Sequence, residues 1–208
     1  MTARIEHVVT RGVFSLDGQD FDVENNVYLV GDDSEVVVID AAHDAATITA
    51  AARGRRVTAV ICTHGHNDHI TAAPDVASPA SASIRLHPAD RFLWHVVHPR
   101  VATVDLVDGE AISVAGTDLI VLHTPGHSPG GVCLYAPALG VVFSGDTLFH
   151  GGPGATGRSF SDFPTILTSI HDRLLTLPDQ TRVLTGHGNE TTIGNEATSY
   201  DDWVARGH

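Results

Sequence analysis

Seven side chains of metal-ligand type follow the ends of four apolar runs, and this register constrains the fold more than any other feature of the chain. Residues 57–62 lead into Thr63-His64-Gly65-His66-Asn67-Asp68-His69. Residues 119–122 lead to His127, residues 141–143 to Asp146, and residues 183–184 to His187. Short apolar runs rich in β-branched residues read as strands. Loops at strand ends are a common mount for functional groups on a rigid scaffold. Four such loops meet in one place only if their strand ends share an edge, so the chain has to build a layered sheet structure with one functional rim.

The ligand types point to metal chemistry. Imidazole and carboxylate hold zinc, iron or manganese, and seven such groups suit two ions better than one. Gly65 lets the backbone turn tightly, so His64 and His66 can reach one ion in the H-x-H-x-D-H cluster. Asp68 and His69 then project the other way toward a second ion. His127 can complete the first set and His187 the second, while Asp146, with two oxygens, can bridge. Two ions roughly 3.5–4 Å apart lower the pKa of a shared water toward ~7, giving a hydroxide nucleophile at neutral pH. One of them also polarises a substrate carbonyl. Asp68 and Asp146 are therefore the expected catalytic carboxylates. Asp40, closing the run 36–39, either accepts hydrogen bonds from the metal loop and orients it or caps a turn. His43, His123 and His150 lie close enough to support the site. His7, His87, His95, His98, His171 and His208 lack ligand spacing.

Further strands are expected at 27–30, 36–39 and 132–135. The unbroken run Val36-Val37-Val38-Ile39 reads as a strand buried on both faces. Helices are expected at 45–53 behind an Asp44 cap, at 88–97, after an Asp162 cap with Pro164 in the first turn, and at 194–206. In the third, Phe163, Ile166, Leu167, Ile170 and Leu174 share one face. Strands interleaved with helices, without linker or repeat, imply one α/β domain spanning residues 1–208.

Charge narrows the partners. The formal net charge is -13, from 25 acidic and 12 basic residues, so nucleic acid is not an expected partner. Every basic residue is arginine, a composition that suggests a GC-rich genome. Cys62 and Cys133 sit inside apolar runs and read as buried thiols in a reducing compartment. The segment from Met1 to His7 has no apolar signal region, and no run approaches membrane-spanning length. The expectation is a cytoplasmic protein without a membrane partner.

The motifs resemble those of the metallo-β-lactamase superfamily, from Asn26 through Asp40 to Thr191-Thr192-Ile193-Gly194-Asn195-Glu196. That resemblance implies a four-layer αββα sandwich. It also implies that His64, His66 and His127 hold one metal, that Asp68, His69 and His187 hold the other, and that Asp146 bridges. Within the superfamily the chain is similar to the short type II glyoxalase group, by Thr124-Pro125-Gly126-His127-Ser128-Pro129-Gly130-Gly131, Gly145-Asp146-Thr147-Leu148-Phe149 and Thr185-Gly186-His187-Gly188-Asn189-Glu190-Thr191-Thr192. Those relatives hydrolyse small-thiol thioesters, in which the thiolate is a good leaving group that needs little acid assistance.

Two departures shape the expected substrate. The chain ends soon after His187, without the helical domain that longer glyoxalases use to grip glutathione. The glycine-rich run after Asp146 resembles that of actinobacterial members. With the absent lysine, this suggests acyl- or formyl-mycothiol beside acylglutathione. Residues 152–159 nearly spell a Walker A loop with Arg158 in place of lysine, but the run follows a metal ligand and no helix opens at Ser159. It reads instead as a mobile loop over the site. Arg158 then meets a polar or anionic part of the substrate, or pairs with Asp162 on the surface.

The alternative activity is that of a persulfide dioxygenase, with one iron held by His64, His127 and Asp146. Lactone hydrolysis uses the same hydroxide. A β-lactamase would carry an export signal, and an RNA-processing nuclease would be longer and less acidic. A binding module would have lost ligands, and none is missing here.

Overall fold

The computed structural model describes residues 3–207. It begins with a long hairpin, β1 (Arg4–Leu16) and β2 (Gln19–Gly31), paired from Arg4 opposite Gly31 to Leu16 opposite Gln19. Asp17 and Gly18 make the turn at φ 53° and 74°, the positive values that two-residue hairpin turns require. β3 (Glu35–Ile39) pairs antiparallel with β2, and β4 (Arg56–Ile61), β5 (Ser83–Leu86) and β6 (Val104–Asp105) follow in parallel. The first sheet therefore runs β1-β2-β3-β4-β5-β6. Its connections carry α1 (Ala45–Ala52), α2 (Asn67–Ile70), α3 (Ala73–Ala77) and α4 (Arg91–Val97). Asp44 caps α1 by accepting from the Thr47 amide at 3.0 Å.

The second sheet starts as a meander of β7 (Ala111–Val114), β8 (Thr117–His123), β9 (Val132–Ala136) and β10 (Val141–Gly145). A two-stranded ribbon follows, β11 (Leu148–Phe149) with β12 (Gly152–Pro153). Asp162 caps α5 (Phe163–Ser169) through the Thr165 amide, and residues Ile170–Leu174 continue as a turn of π-helix. β13 (Arg182–Thr185) then lies parallel to β10, and β14 (Thr191–Thr192) closes the sheet in the order β14-β13-β10-β9-β8-β7. The chain finishes with α6 (Ile193–Ala197) and α7 (Tyr200–Arg206).

Side-chain alternation turns these elements into four layers. Along β3, Val36 and Val38 face α1, α3 and α4 with Ile48, Val76 and Trp94. Val37 and Ile39 face the other way and meet Leu119, Val121, Leu134 and Phe143 of the second sheet. The far side of that sheet, with Cys133, Val142 and Val183, packs on Ile166, Ile170, Ile193 and Trp203. The architecture is thus the expected αββα sandwich. Cys62 and Cys133 are buried free thiols. Among the described residues, no helix is long and apolar enough to cross a membrane.

One expectation is corrected. The helix expected at 194–206 is two helices. Buried Glu196 is tied to Gly151 and Thr191 at 3.0 and 2.7 Å, and the Thr198 hydroxyl bonds back to the Asn195 carbonyl, so α6 stops. The chain restarts at Ser199 in a direction that sinks Trp203 into the third core. The structure adds a reason for Gly65 that the sequence does not show. Its requirement is space: a Cβ there would stand 2.9 Å from the Leu93 Cβ and 3.0 Å from the Asp90 carbonyl.

The sheets are joined at one rim. Parallel pairing of β3 with β4 and of β10 with β13 puts the four C-terminal ends on the same edge, and β8 runs parallel to β10 through antiparallel β9. Val132 donates to the Thr63 carbonyl at 2.8 Å, and Asn26 to the Gly186 carbonyl at 2.8 Å. The Asn26 side chain accepts from His7 and donates to the carbonyls of Thr185 and Gly188 at 3.0 and 2.9 Å. Asn26→Ala leaves these two carbonyls without that donor and should cost about 2–4 kcal/mol. Urea unfolding checks this; a midpoint within error of wild type would contradict the cross-sheet role.

Candidate metal centre

All seven expected ligands converge at that rim. Ring nitrogens of His64, His66 and His127 form one group, and those of His69 and His187 with the Asp68 carboxylate form a second. Asp146 stands between them. Its Oδ1 is 3.4 Å from His69 Nε2, and its Oδ2 is 3.5 Å from His187 Nε2 and 3.6 Å from His127 Nε2. Within the first group His66 Nδ1 lies 3.0 Å from both His64 Nε2 and His127 Nε2. The four-residue helix α2 holds Asp68 and His69 side by side, with His66 at its N-terminal boundary.

Partners on the outer side of the rings decide which nitrogen carries the proton. His127 Nδ1 faces the Ala155 carbonyl at 2.8 Å, and His187 Nδ1 faces the Glu24 carbonyl at 2.6 Å. A carbonyl only accepts, so both Nδ1 atoms donate, which turns both Nε2 atoms inward, where each can give a lone pair to a cation. His69 Nδ1 donates to Asp40 Oδ2 at 2.9 Å. The Thr63 hydroxyl gives its proton to the same oxygen at 2.7 Å, so at 3.1 Å it accepts from His64 Nδ1. Asp40 also accepts the Thr63 amide at 2.7 Å, which fixes the start of the metal loop. The contacts of Asp40 are those of the first of its two readings, hydrogen bonds accepted from Thr63 and His69.

This donor set fits divalent cations. Inward lone pairs 3.0 Å apart repel unless positive charge lies between them. Oδ1 of Asp68 and Oδ1 of Asp146 are buried without a hydrogen-bond partner, a costly state for ionised carboxylates unless a cation lies beside them. Burial, and then the neighbouring imidazoles, push His64 well down and His66 to about 3, so both rings are neutral. Burial works to raise Asp68, but His69, His187 and Asn25 hold it down at about 2. Burial likewise opposes the ionised form of Asp146, and His69 and His187 outweigh it and hold the group well down. For His69 and His187 burial acts downward, yet the carboxylates win and raise both rings, His187 to about 10.

Other contacts were not foreseen. Asp90 is fully buried and accepts from Gly65 N at 2.8 Å, Ser128 Oγ at 2.7 Å and Gly130 N at 2.6 Å. It ties the His64 loop to the His127 loop. Its sequence position, the N-terminal turn of a helix, carries no signal of that task. Asn25 is fully buried against the second group. Of the nearby histidines, His43 bonds Asn25, His123 stacks on His87 at 4.0 Å and faces the Pro129 carbonyl, and His150 is exposed.

The glycine-rich run is anchored at its middle and its end. Ala155 holds His127, and Ser159 Oγ donates to Asp17 Oδ1 at 2.7 Å at the hairpin tip. Arg158 does not pair with Asp162. It lies 4.9 Å over the Phe21 ring and reaches Gln19 Oε1 at 3.3 Å. Residues 152–159 form no phosphate loop, since the next helix opens at Phe163.

Asp40→Ala should weaken cation binding about 10–100-fold, because it frees the rings of both His69 and His64. Competition with a coloured chelator measures this; unchanged affinity would contradict the orienting role.

The sequence profile of the Metallo-beta-lactamase superfamily matches residues 21–187. The probable metallo-hydrolase YqgX of Bacillus subtilis is 32% identical over 189 residues, covering 84% of this chain and 90% of that protein. The hydroxyacylglutathione hydrolase GloC of Haemophilus influenzae is 32% identical over 154 residues, covering 67% and 73%. Among solved structures, TTHA1623 in a di-iron-bound form matches with a TM-score of 0.75 at 33% identity, over 84% of this chain and 93% of that one.

Proposed function

The chain belongs to the metallo-beta-lactamase superfamily, and on that premise we propose that it hydrolyses the thioester of a low-molecular-weight thiol. The substrate is acyl- or formyl-mycothiol, or acylglutathione. His64, His66 and His127 hold one divalent cation, Asp68, His69 and His187 hold the other, and Asp146 serves both. The observation that carries this reading is the pair of three-ligand groups with Asp146 between them, itself grouped with His64 of one and His69 of the other. Zinc suits the nitrogen-rich first group, and iron or manganese suits the oxygen donors; the di-iron relative is in keeping with the latter. The two unpaired thiols fit a cytoplasmic setting.

Divalent cations held here supply Lewis acidity, which lowers the pKa of water and polarises an acyl oxygen. The remaining work belongs to the chain. Asp68 turns Oδ2 toward the second group, and its Oδ1 lacks a hydrogen-bond donor, so that oxygen has a lone pair to take a proton from attacking water. Asp146 sets one oxygen toward His69 and the other toward His127 and His187. Neither group of ligands includes a spare acid, and a thiolate departs without one. The mouth supplies orientation. Phe14 lies 5.3 Å from the His66 ring and 6.2 Å from Phe21, over which Arg158 sits. That apolar edge, with Arg158 beside it, matches an acyl group on a polar carrier. The relative named as a hydroxyacylglutathione hydrolase supports the same substrate class.

The test is purified protein with its metal content measured, offered S-lactoylglutathione, an acyl-mycothiol and a persulfide in parallel. Thioester loss without oxygen uptake is the expected result. Oxygen uptake with bound iron, and no thioester loss, would replace this reading with the dioxygenase. Asp146→Asn should lower turnover by roughly 100-fold or more, beyond the 10–100-fold typical of outer partners, and release metal. Normal turnover in that variant would remove Asp146 from the mechanism.

A further inference from the structure

The second ligand group has a fourth corner that neither its motif nor its spacing announces. Asn25 Nδ2 lies 3.1 Å from Asp68 Oδ2, 3.3 Å from His69 Nε2 and 3.5 Å from His187 Nε2. The three ligand atoms are themselves 3.5, 3.3 and 3.2 Å apart. Six edges of such similar length describe a nearly regular tetrahedron. Its centre is about 2.0 Å from each corner, the distance at which zinc binds imidazole nitrogen and carboxylate oxygen. The tip of the Asn25 amide therefore stands at a coordination position of the second cation.

We infer that Asn25 is a protein ligand of the second cation, through its amide oxygen, and that His43 holds the amide for that task. This rests on the two-cation reading above. In the cation-free protein the amide nitrogen faces the three ligand atoms and donates to Asp68 Oδ2. With a cation present the amide turns over and offers Oδ1, an oxygen donor of the kind that suits hard divalent ions. His43 serves both orientations. Its Nε2 lies 2.9 Å from the outer amide atom, and imidazole donates or accepts at Nε2 according to which nitrogen carries the proton. The ring is fixed in place. His43 sits at φ 56° with its amide on Thr71 Oγ1 at 3.2 Å. It also packs so tightly on Gly12 that a Cβ there would fall 2.1 Å from His43 Nδ1.

The inference gives the two sites different characters. The first has three imidazoles with Asp146, which suits tetrahedral zinc. The second has Asp68, His69, His187, Asp146 and Asn25, a larger set with more oxygen donors. It should prefer iron or manganese more than the first does.

The test is stepwise cobalt(II) binding to the full-length metal-free protein, followed by chelator competition and visible absorption. Wild type is compared with Asn25→Ala, Asn25→Leu and His43→Ala, and thermal melting is recorded for each. Asn25→Leu keeps most of the volume and removes the donor. Both Asn25 variants should lose at least about 10-fold in affinity for the second equivalent, the usual scale for perturbing a metal's surroundings. The first equivalent should be unchanged. The absorption of the second equivalent should intensify as its coordination number falls, and His43→Ala should shift it the same way by less. Unaltered second-equivalent affinity and spectrum in both Asn25 variants would overturn the inference. So would equal weakening of both equivalents with a lowered melting temperature, since that marks a general structural role. Wild-type protein that binds a single equivalent would overturn the two-cation reading along with it. Failure to cleave thioesters would leave this titration intact.

Discussion

A buried carboxylate must be matched by donors on every side, and Asp40 is the one whose matching organises the rest. Its two oxygens take the amide and hydroxyl of Thr63 and the Nδ1 proton of His69. Through Thr63 it also decides the proton position on His64. One side chain at the end of β3 thereby turns two rings, from adjacent turns of the same loop, so that their lone pairs face a common space. Asp90 does the equivalent work across the sheets, joining the loops of His64 and His127 by three hydrogen bonds. Neither carboxylate is among the groups that gather a metal, and both determine where those groups point.

The sandwich makes this arrangement affordable. Each sheet buries one face against helices and the other against its partner sheet. Strands covered on both faces are rigid, and four C-terminal ends on one rim give loops from distant segments a fixed meeting place. Asn26 and the Val132–Thr63 bond stitch the sheets where they would otherwise splay. The first sheet contributes the densely packed H-x-H-x-D-H loop, and the second contributes single ligands at His127, Asp146 and His187.

Much of this was legible in the chain itself. Continuous β-branched runs and the ligands just beyond them located β4, β8, β10 and β13 and the rim they share. Asp44 and Asp162 announced their helices by cap chemistry alone. The β1–β2 arm was only partly seen, because its outer half is exposed and lacks apolar alternation, although Asp17-Gly18 is a strong hairpin signal. The break at Thr198-Ser199 follows from where Glu196 and Trp203 must sit, which is tertiary information. The same holds for Asn25 and Asp90, polar residues whose tasks arise only when a strand and a helix turn are brought against the metal loop. Gly65 was singled out for the turn it allows, and the second demand on it, room against Leu93 and Asp90, is tertiary information.

The central claim is that two cations occupy the paired groups around Asp146. Anomalous diffraction from crystals grown with zinc, collected on both sides of the zinc edge, measures this directly. The account predicts two peaks roughly 3.5–4 Å apart. One should be enclosed by His64, His66 and His127, and the other by Asp68, His69 and His187. No peak within reach of Asp146, or a lone peak bound by one group while the other stays hydrogen-bonded to Asn25, would contradict it.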